Sequence, residues 1–248
     1  MGAVETIVEA GAHKPPHQPQ IALLGNPNCG KTALFNRLTG ARQKVANYAG
    51  VTIERKEGHF TSPAGKPVRL LDLPGAYSLS ATTPDEAITR DVVGGLRRGE
   101  PRPDAIICVV DATNLRLNLR LVLEVKRLGL PMLLALNMTD VARKRGMVID
   151  TARLSAELGM PVVETVAVQH DGEKALLNAI DAMLPLPAVE AKPLAAIDAV
   201  SVEETQREVR RILAAASNDA SDTGNLTEKI DDVVLHPVFG PIILAVLM

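Results

Sequence analysis

The segment Gly25-Asn26-Pro27-Asn28-Cys29-Gly30-Lys31-Thr32 decides the fold, because it holds the complete G-x-x-x-x-G-K-S/T pattern of a phosphate-binding loop. The apolar run 21–24 precedes it as a buried strand, and residues 32–39, from Thr32 and Ala33 onward, follow as a helix that ends at Gly40. Backbone N–H groups of such a loop and the positive end of the helix face bound phosphates. Lys31 would contact the β- and γ-phosphates, and the Thr32 hydroxyl is a ligand for Mg²⁺. The segment therefore predicts a nucleoside triphosphate site.

Strands and helices alternate along the rest of the chain. A turn at 62–66 separates segments 51–60 and 68–72, which predicts an antiparallel hairpin. We expect further strands at 105–110, 132–136 and 162–163, and helices at 115–128, 150–159 and 173–184. The predicted fold class is α/β: a mostly parallel sheet of six to seven strands flanked by helices, of the P-loop GTPase type, followed by a small all-α domain.

Composition excludes several classes of protein. Apolar residues make up 46% of the 248 residues, which is ample for a core, whereas aromatic residues are only 2%. A net charge of −2 gives no indication of nucleic-acid binding. Two cysteines, Cys29 and Cys108, do not form a disulfide framework and fit a reducing compartment. Cys29 is either a redox-sensitive thiol or a small residue whose backbone matters.

The two ends of the chain differ from its middle. Residues 1–19 are polar and predict a disordered N-terminal lead, and 20–186 form the nucleotide-binding domain. Residues 187–235 predict helices at 201–216 and 226–235. The apolar stretch 236–248 is too short to span a bilayer, which takes about 20 residues. It is either a buried C-terminal segment or the start of a truncated transmembrane helix.

Two further segments match the γ-phosphate side of a nucleotide site. Asp72-Leu73-Pro74-Gly75 follows the strand 68–71, so that the Asp72 carboxylate could hold Mg²⁺ and the Gly75 N–H could reach the γ-phosphate. Thr52, after Gly50 and Val51, is the second hydroxyl placed to bind Mg²⁺, and its loop would be ordered by the γ-phosphate. A strand-end turn and a strand start are the structural alternatives for these two segments.

The base is indicated by Asn137-Met138-Thr139-Asp140 after the strand 132–136. A carboxylate at Asp140 accepts hydrogen bonds from guanine N1–H and its exocyclic amine, whereas adenine would leave it unpaired. Asn137 can brace the loop and reach the purine edge, and the Met138 thioether can lie against the base or the ribose. Val166 and Ala167 follow the last strand, where a backbone N–H could meet guanine O6.

Together these motifs resemble the cytosolic G domain of the FeoB family of bacterial ferrous-iron transporters. The resemblance covers 20–248 and rests on the phosphate loop, on Asn47 to Gly58, on Asp72 to Ser80, on the Asn-Met-x-Asp motif and on His-Pro-x-x-Gly-Pro at 236–241. It implies a GTPase that binds GTP, GDP and Mg²⁺ and acts in iron uptake. It also implies that 187–235 is a helical domain favouring GDP binding, and that 236–248 begins the first membrane helix.

The resemblance further implies a place and partners: the cytoplasmic face of the bacterial inner membrane, a C-terminal transmembrane domain of the same protein, and small cytosolic Feo proteins. Similarity to potassium-activated GTPases implies that Asn28 holds K⁺ between the α- and γ-phosphates. Lys31, Thr52, Gly75 and Asn28 are then the candidate catalytic residues. Ala76 replaces the water-orienting Gln of Ras-like enzymes, so intrinsic hydrolysis should be slow.

The chain departs from the family pattern at two places. Tyr48-Ala49 stands where the family usually has Trp-Pro, and Val166-Ala167 where it usually has Ser-Ala. The second change predicts weaker packing on the base and faster GDP release.

Two alternatives remain open. One is a soluble ribosome- or tRNA-associated GTPase, which would need a basic RNA-binding face. The other is an ATP-dependent kinase or a binding module, against which Asp140 argues. The sequence shows no cluster of iron ligands and does not indicate an oligomeric state.

Overall fold

The computed structural model of the protein describes residues 18–40, 42–187 and 192–218. Its strands are β1 (Gln20–Gly25), β2 (Gln43–Asn47), β3 (Glu54–Thr61), β4 (Pro67–Asp72), β5 (Ala105–Asp111), β6 (Met132–Asn137), β7 (Val148–Ile149), β8 (Val162–Glu164) and β9 (Ser217–Asn218). Its helices are α1 (Lys31–Thr39), α2 (Pro84–Gly94), α3 (Leu115–Lys126), α4 (Thr139–Lys144), α5 (Thr151–Leu158), α6 (Lys174–Met183), α7 (Ala195–Asp198) and α8 (Val202–Ala216).

A seven-stranded sheet in the order β2-β3-β4-β1-β5-β6-β8 forms the centre of the fold. Strands β4, β1, β5, β6 and β8 are parallel to one another, and β2 and β3 extend this sheet through antiparallel pairings. This arrangement confirms the predicted α/β class and the mostly parallel sheet. It places the loops after β1, β4, β5 and β6 at one edge, where ligands of such sheets bind.

The antiparallel pairing of β3 with β4 agrees with the predicted hairpin, but β3 begins at Glu54 rather than at residue 51. The sequence analysis did not predict β2 at all. Its residues, Gln-Lys-Val-Ala-Asn, are mostly exposed at the edge of the sheet, so they lack the alternation of apolar and polar residues by which a half-buried strand is recognised.

Both faces of the sheet are covered, as the fully buried pattern of β1 requires. Ile21 and Leu23 pack with Phe35 of α1 and with α6, whereas Ala22 and Leu24 pack with α2, α3 and α5. Each face therefore has its own apolar core, and β1 with its following loop lies between them.

The helical segment after residue 192 packs on the nucleotide-binding fold. Ser201 caps α8 through a complete capping box with Glu204, which sets the start of the helix where the sequence predicts it. Ile212 and Val209 of α8 belong to the same core cluster as residues of α3 and α5. Contrary to the all-α expectation, β9 pairs with β7, because the chain leaves α8 in an extended conformation beside Val148.

Three predictions lie outside the described residues: the lead up to residue 17, the helix 226–235 and the apolar stretch 236–248. In the portion of the chain that is described, no helix combines the length and the hydropathy needed to cross a bilayer.

Candidate functional site

The phosphate-binding loop is shaped by two glycines that no larger residue could replace. Gly30 has φ of 85°, and a Cβ at this position would lie 2.2 Å from Asn137 Nδ2. A Cβ on Gly25 would lie 2.5 Å from the carbonyl oxygen of Val109. The loop is therefore pressed against β5 and β6 immediately before the start of α1.

Lys31 and Asp72 form an ion pair at the centre of the site. The two side chains are only 10% and 6% exposed, so the pair is buried. Removing one partner of such a pair costs about 3–5 kcal/mol because the other charge stays buried and uncompensated. The last residue of β4 and the first residue of α1, which belong to the two predicted phosphate-side motifs, are thus held together.

Two adjoining clefts surround this pair. One, of about 480 Å³, is lined by the phosphate loop, including Asn28, and by Gly75. The other, of about 330 Å³, contains Thr32 and Asp72, whose oxygens are the kind of ligand that Mg²⁺ prefers. Lys31, Thr32 and Asp85 line both clefts. Asp85 was not among the predicted site residues; it lies in the first turn of α2, after the Asp72–Gly75 motif.

The loop that carries Thr52 borders the cleft of Thr32 and Asp72, which Ile53 and Glu54 help to line. Gly50, Val51 and Thr52 are exposed, and none of them lines either cleft. Tyr48 is buried beside them, 1% exposed, and Arg97 stacks 5.9 Å from its ring centre. Arg97 also donates to the carbonyl oxygen of Ala49 at 2.6 Å. The loop is therefore anchored to the segment after α2, and the structure does not bring Thr52 to Thr32 and Asp72.

Asn137 joins the phosphate side to the base side. Its Nδ2 donates to the carbonyl oxygen of Cys29 at 3.0 Å, and its Oδ1 accepts from the Ala167 N–H at 3.0 Å. The Thr165 hydroxyl donates to the same oxygen at 3.3 Å. The bracing role expected of Asn137 is thus present, with the side chain 2% exposed.

The neighbouring base-side residues follow from this network. Met138 adopts φ of 60°, and its terminal methyl group lies beside Gly30. Asp140 is half-buried in the first turn of α4, where a carboxylate is stabilised by the helix end. The Ala167 N–H, the predicted donor to guanine O6, donates to Asn137 Oδ1 in the structure. The Val166 N–H donates to the carbonyl oxygen of Gly172.

Two buried carboxylates hold the segment after Gly75. Glu86 accepts from the Tyr77 N–H and from both the N–H and the hydroxyl of Thr82. Burial disfavours the charged form, but these hydrogen bonds outweigh it and lower the pKa of Glu86 below its ordinary value. Glu124 of α3 accepts from the Leu79 N–H at 2.6 Å and from the Ser78 hydroxyl. The sequence analysis did not predict either anchor.

The side chain at position 76 cannot orient a water molecule. Ala76 is 1% exposed, and its N–H donates to the carbonyl oxygen of Gly25 at 3.2 Å. Cys29 is also buried, and burial raises the pKa of its thiol to about 11 although Lys31 acts in the opposite direction. Since the thiolate is the reactive form, the structure favours the interpretation of Cys29 as a small loop residue. The described residues contain no group of three or more His, Cys, Asp or Glu side chains that could hold a metal ion.

Comparisons with known proteins agree with this geometry. Residues 19–180 match the family model described as "Ferrous iron transport protein B". The Fe(2+) transporter FeoB of Escherichia coli K12 is 50% identical over 165 residues, which are 65% of this chain and 21% of that protein. The chain thus spans about a fifth of the length of the curated relatives it matches.

Solved structures give the same result. The cytosolic domain of L. pneumophila FeoB superposes with a TM-score of 0.70 at 28% identity, covering 80% of this chain and 99% of that one. The cytosolic domain of the T. maritima FeoB iron transporter in a GDP form gives 0.69 at 29% identity, covering 81% and 100%.

Proposed function

The chain belongs to the ferrous iron transport protein B family and is a P-loop GTPase, and we propose that it is the slowly hydrolysing guanine-nucleotide switch of a ferrous-iron uptake system. The observation that carries the proposal is the position of Asn137, which ties the phosphate loop to the 165–167 loop beside Asp140. The phosphate-binding part and the base-binding part of the site are therefore held at a fixed distance from each other, as the binding of a single nucleotide requires.

The buried Lys31–Asp72 pair supplies the binding chemistry on the phosphate side. On nucleotide binding, Lys31 would exchange the Asp72 carboxylate for phosphate oxygens, and the Asp72 carboxylate and the Thr32 hydroxyl would hold Mg²⁺. The ion would supply positive charge beside the phosphates. Both partners of the ion pair thus remain compensated in either state, which avoids the cost of a lone buried charge. Thr52 joins them only if its loop moves from its anchored position.

Selectivity for guanine rests on Asp140, since its carboxylate matches the N1–H and amine donors of that base. Asp140→Asn should weaken GDP binding and improve binding of xanthosine diphosphate, whose base presents an oxygen in place of the amine. Asp150→Asn is the matched control, because Asp150 is an exposed helix cap and Asn caps equally well. Calorimetry of GDP, ADP and XDP makes the comparison. ADP bound as tightly as GDP by the unmodified chain would reject the proposal.

Hydrolysis needs a group other than residue 76, and Asn28 is the proposed one. Asn28 lines the phosphate cleft, and the loop holds its backbone at φ of 65°. With K⁺ bound there, positive charge would be placed where an arginine finger acts in other GTPases, an effect of about 10³- to 10⁵-fold. GTP turnover should be faster in KCl than in NaCl, and Asn28→Ala should remove the difference. Equal turnover in both salts would refute the potassium role.

Release of GDP is expected to be fast because Val166 offers no side-chain hydrogen bond near the base. Val166→Ser restores the hydroxyl usual in the family, and stopped-flow release of a fluorescent GDP should slow. Unchanged release would show that this position does not set the nucleotide lifetime.

The role in iron uptake is tested on the full-length protein that contains this chain. The proposed location is the cytoplasmic face of the bacterial inner membrane, with the protein's own transmembrane domain and small cytosolic Feo proteins as partners. Full-length protein with Lys31→Ala should fail to restore growth on ferrous iron to a strain lacking its own transporter. Normal growth with that variant, or co-purification of RNA with the chain, would contradict the assignment.

A further inference from the structure

A second cavity, distinct from the phosphate clefts, lies between α3 and α8. Its volume is about 400 Å³, and three arginines, Arg116, Arg120 and Arg210, line it. This volume falls within the range of about 300–1,000 Å³ typical of small-molecule pockets. No carboxylate of the described residues lines it, whereas Asp72 and Asp85 line the clefts at the phosphate loop.

The charges of the arginines are distributed unevenly. Arg120 is partly compensated, because its Nε donates to Glu124 Oε1 at 3.0 Å. Arg210 is exposed on α8 and forms no ion pair with any other residue of the described ranges. Guanidinium groups bind phosphate oxygens in a bidentate manner and carry their charge at every physiological pH. Arg210 therefore brings to the cavity a positive charge that no described carboxylate compensates, which favours an anionic ligand.

The other residues that line the cavity favour a ligand larger than an inorganic ion. Leu117, 46% exposed, and the buried Val209 give the cavity an apolar part, and Asn114 and Gln206 add amide donors and acceptors. An inorganic phosphate would leave most of the space empty. From the cavity volume, the arginines and the apolar part together, we propose that this cavity binds a small phosphorylated compound with an apolar or planar body, of nucleoside monophosphate size.

The same residues connect the cavity to the nucleotide site. Arg120 donates to the Ser78 hydroxyl at 3.2 Å, in the segment that follows Gly75. The carbonyl oxygen of Leu117 accepts from Asn26 Nδ2 of the phosphate loop at 3.5 Å. An anion that engages Arg120 competes with Ser78 for the guanidinium, so its binding alters the restraint on the 78–80 segment. This coupling, unlike the site itself, rests on the proposed function.

The binding test uses the whole chain saturated with GDP and Mg²⁺, so that the phosphate loop is blocked. AMP, inorganic phosphate and uncharged adenosine are titrated by calorimetry. AMP should bind at one site, phosphate more weakly, and adenosine not measurably. The double variant Arg116→Gln/Arg210→Gln should weaken AMP binding at least tenfold, while Arg207→Gln, an exposed arginine of α8 that does not line the cavity, should stay within twofold.

Several outcomes would overturn the proposal. They are the absence of saturable AMP binding, equal binding by the double variant, or an equal loss with Arg207→Gln, which would indicate nonspecific attraction. Binding of a polyglutamate peptide but not of AMP or phosphate would replace the small ligand with an acidic protein partner. Because AMP binding is measured without GTP turnover, its failure is distinguishable from failure of the GTPase assignment. Release of fluorescent GDP that is unchanged at saturating AMP would overturn the coupling.

Discussion

Substitution of Asn137 by Ala tests whether this side chain organises the site or merely contacts the base. In the structure it accepts from the Ala167 N–H and donates to the Cys29 carbonyl, both at 3.0 Å. The substitution leaves these two backbone groups without their partner in a buried region. Each unsatisfied buried group costs about 1–3 kcal/mol, so the free energy of unfolding should fall by about 2–6 kcal/mol.

Urea denaturation of the chain without nucleotide measures this loss directly. Since a domain of this size shifts by about 2–4 °C per kcal/mol, the melting temperature should fall by at least about 4 °C. Asn36→Ala is the matched control, because Asn36 is exposed and, among the described residues, its side chain accepts only from Gln43. That control should change the free energy of unfolding by less than about 0.5 kcal/mol.

The nucleotide adds a second measurement. If Asn137 fixes the distance between the phosphate loop and the 165–167 loop, Asn137→Ala should weaken GDP binding and lower the stability of the nucleotide-free chain together. Weaker GDP binding with unchanged stability of the nucleotide-free chain would refute the reasoning, because it would mean that Asn137 acts on the base alone.

Three other predictions concern buried polar groups. Tyr48→Phe should raise the free energy of unfolding by about 1 kcal/mol in urea denaturation, because the Tyr48 hydroxyl is buried without a hydrogen-bond partner among the described residues; a loss of stability would show that the hydroxyl is satisfied in solution. Cys29 should resist iodoacetamide at pH 7.5 in the native chain and react faster as the pH approaches its pKa of about 11, as mass spectrometry of the modified peptide would show; rapid modification at pH 7.5 would contradict the burial of the thiol. The pKa of Glu86 is lowered in the folded state, so its contribution to stability is present above its unfolded pKa of about 4.5 and is lost as the pH falls through the folded pKa. The difference in unfolding free energy between Glu86→Gln and the unmodified chain should therefore shrink between pH 7 and pH 3. A difference that stays constant over this range would refute the prediction.

The phosphate side could be predicted from the sequence because its determinants are contiguous. Gly25 to Thr32 specify a backbone shape that depends on residue type and spacing, and the structure shows the reason in the close approach of Gly30 to Asn137. The start of α8 was predictable for a similar reason, since Ser201 and Glu204 act through local hydrogen bonds. Both are cases in which four to eight neighbouring residues suffice.

The features that escaped prediction depend on partners far apart in the chain. Glu124 holds Leu79, and Arg97 holds the Tyr48-Ala49 loop, through contacts that no local pattern encodes. The hydrogen bond from the Ala167 N–H to Asn137 likewise joins residues 30 positions apart, and the contact of that N–H with guanine stays a prediction. A residue that belongs to a sequence motif must also have its hydrogen-bonding groups paired. Which partners pair with them depends on the whole fold.

The anchors of the two loops next to the nucleotide differ in chemistry, and this difference bears on how the switch would move. The 77–82 segment is held by the buried carboxylates of Glu86 and Glu124, whereas the Tyr48 loop is held by one exposed arginine contact and one buried ring. Releasing a segment from buried carboxylates leaves charged acceptors unsatisfied, but releasing the Ala49 carbonyl returns it to water at little cost. As long as the Tyr48 ring stays buried, the residues from Ala49 to Thr52 are therefore cheaper to rearrange than the 77–82 segment, which agrees with a role that depends on the γ-phosphate.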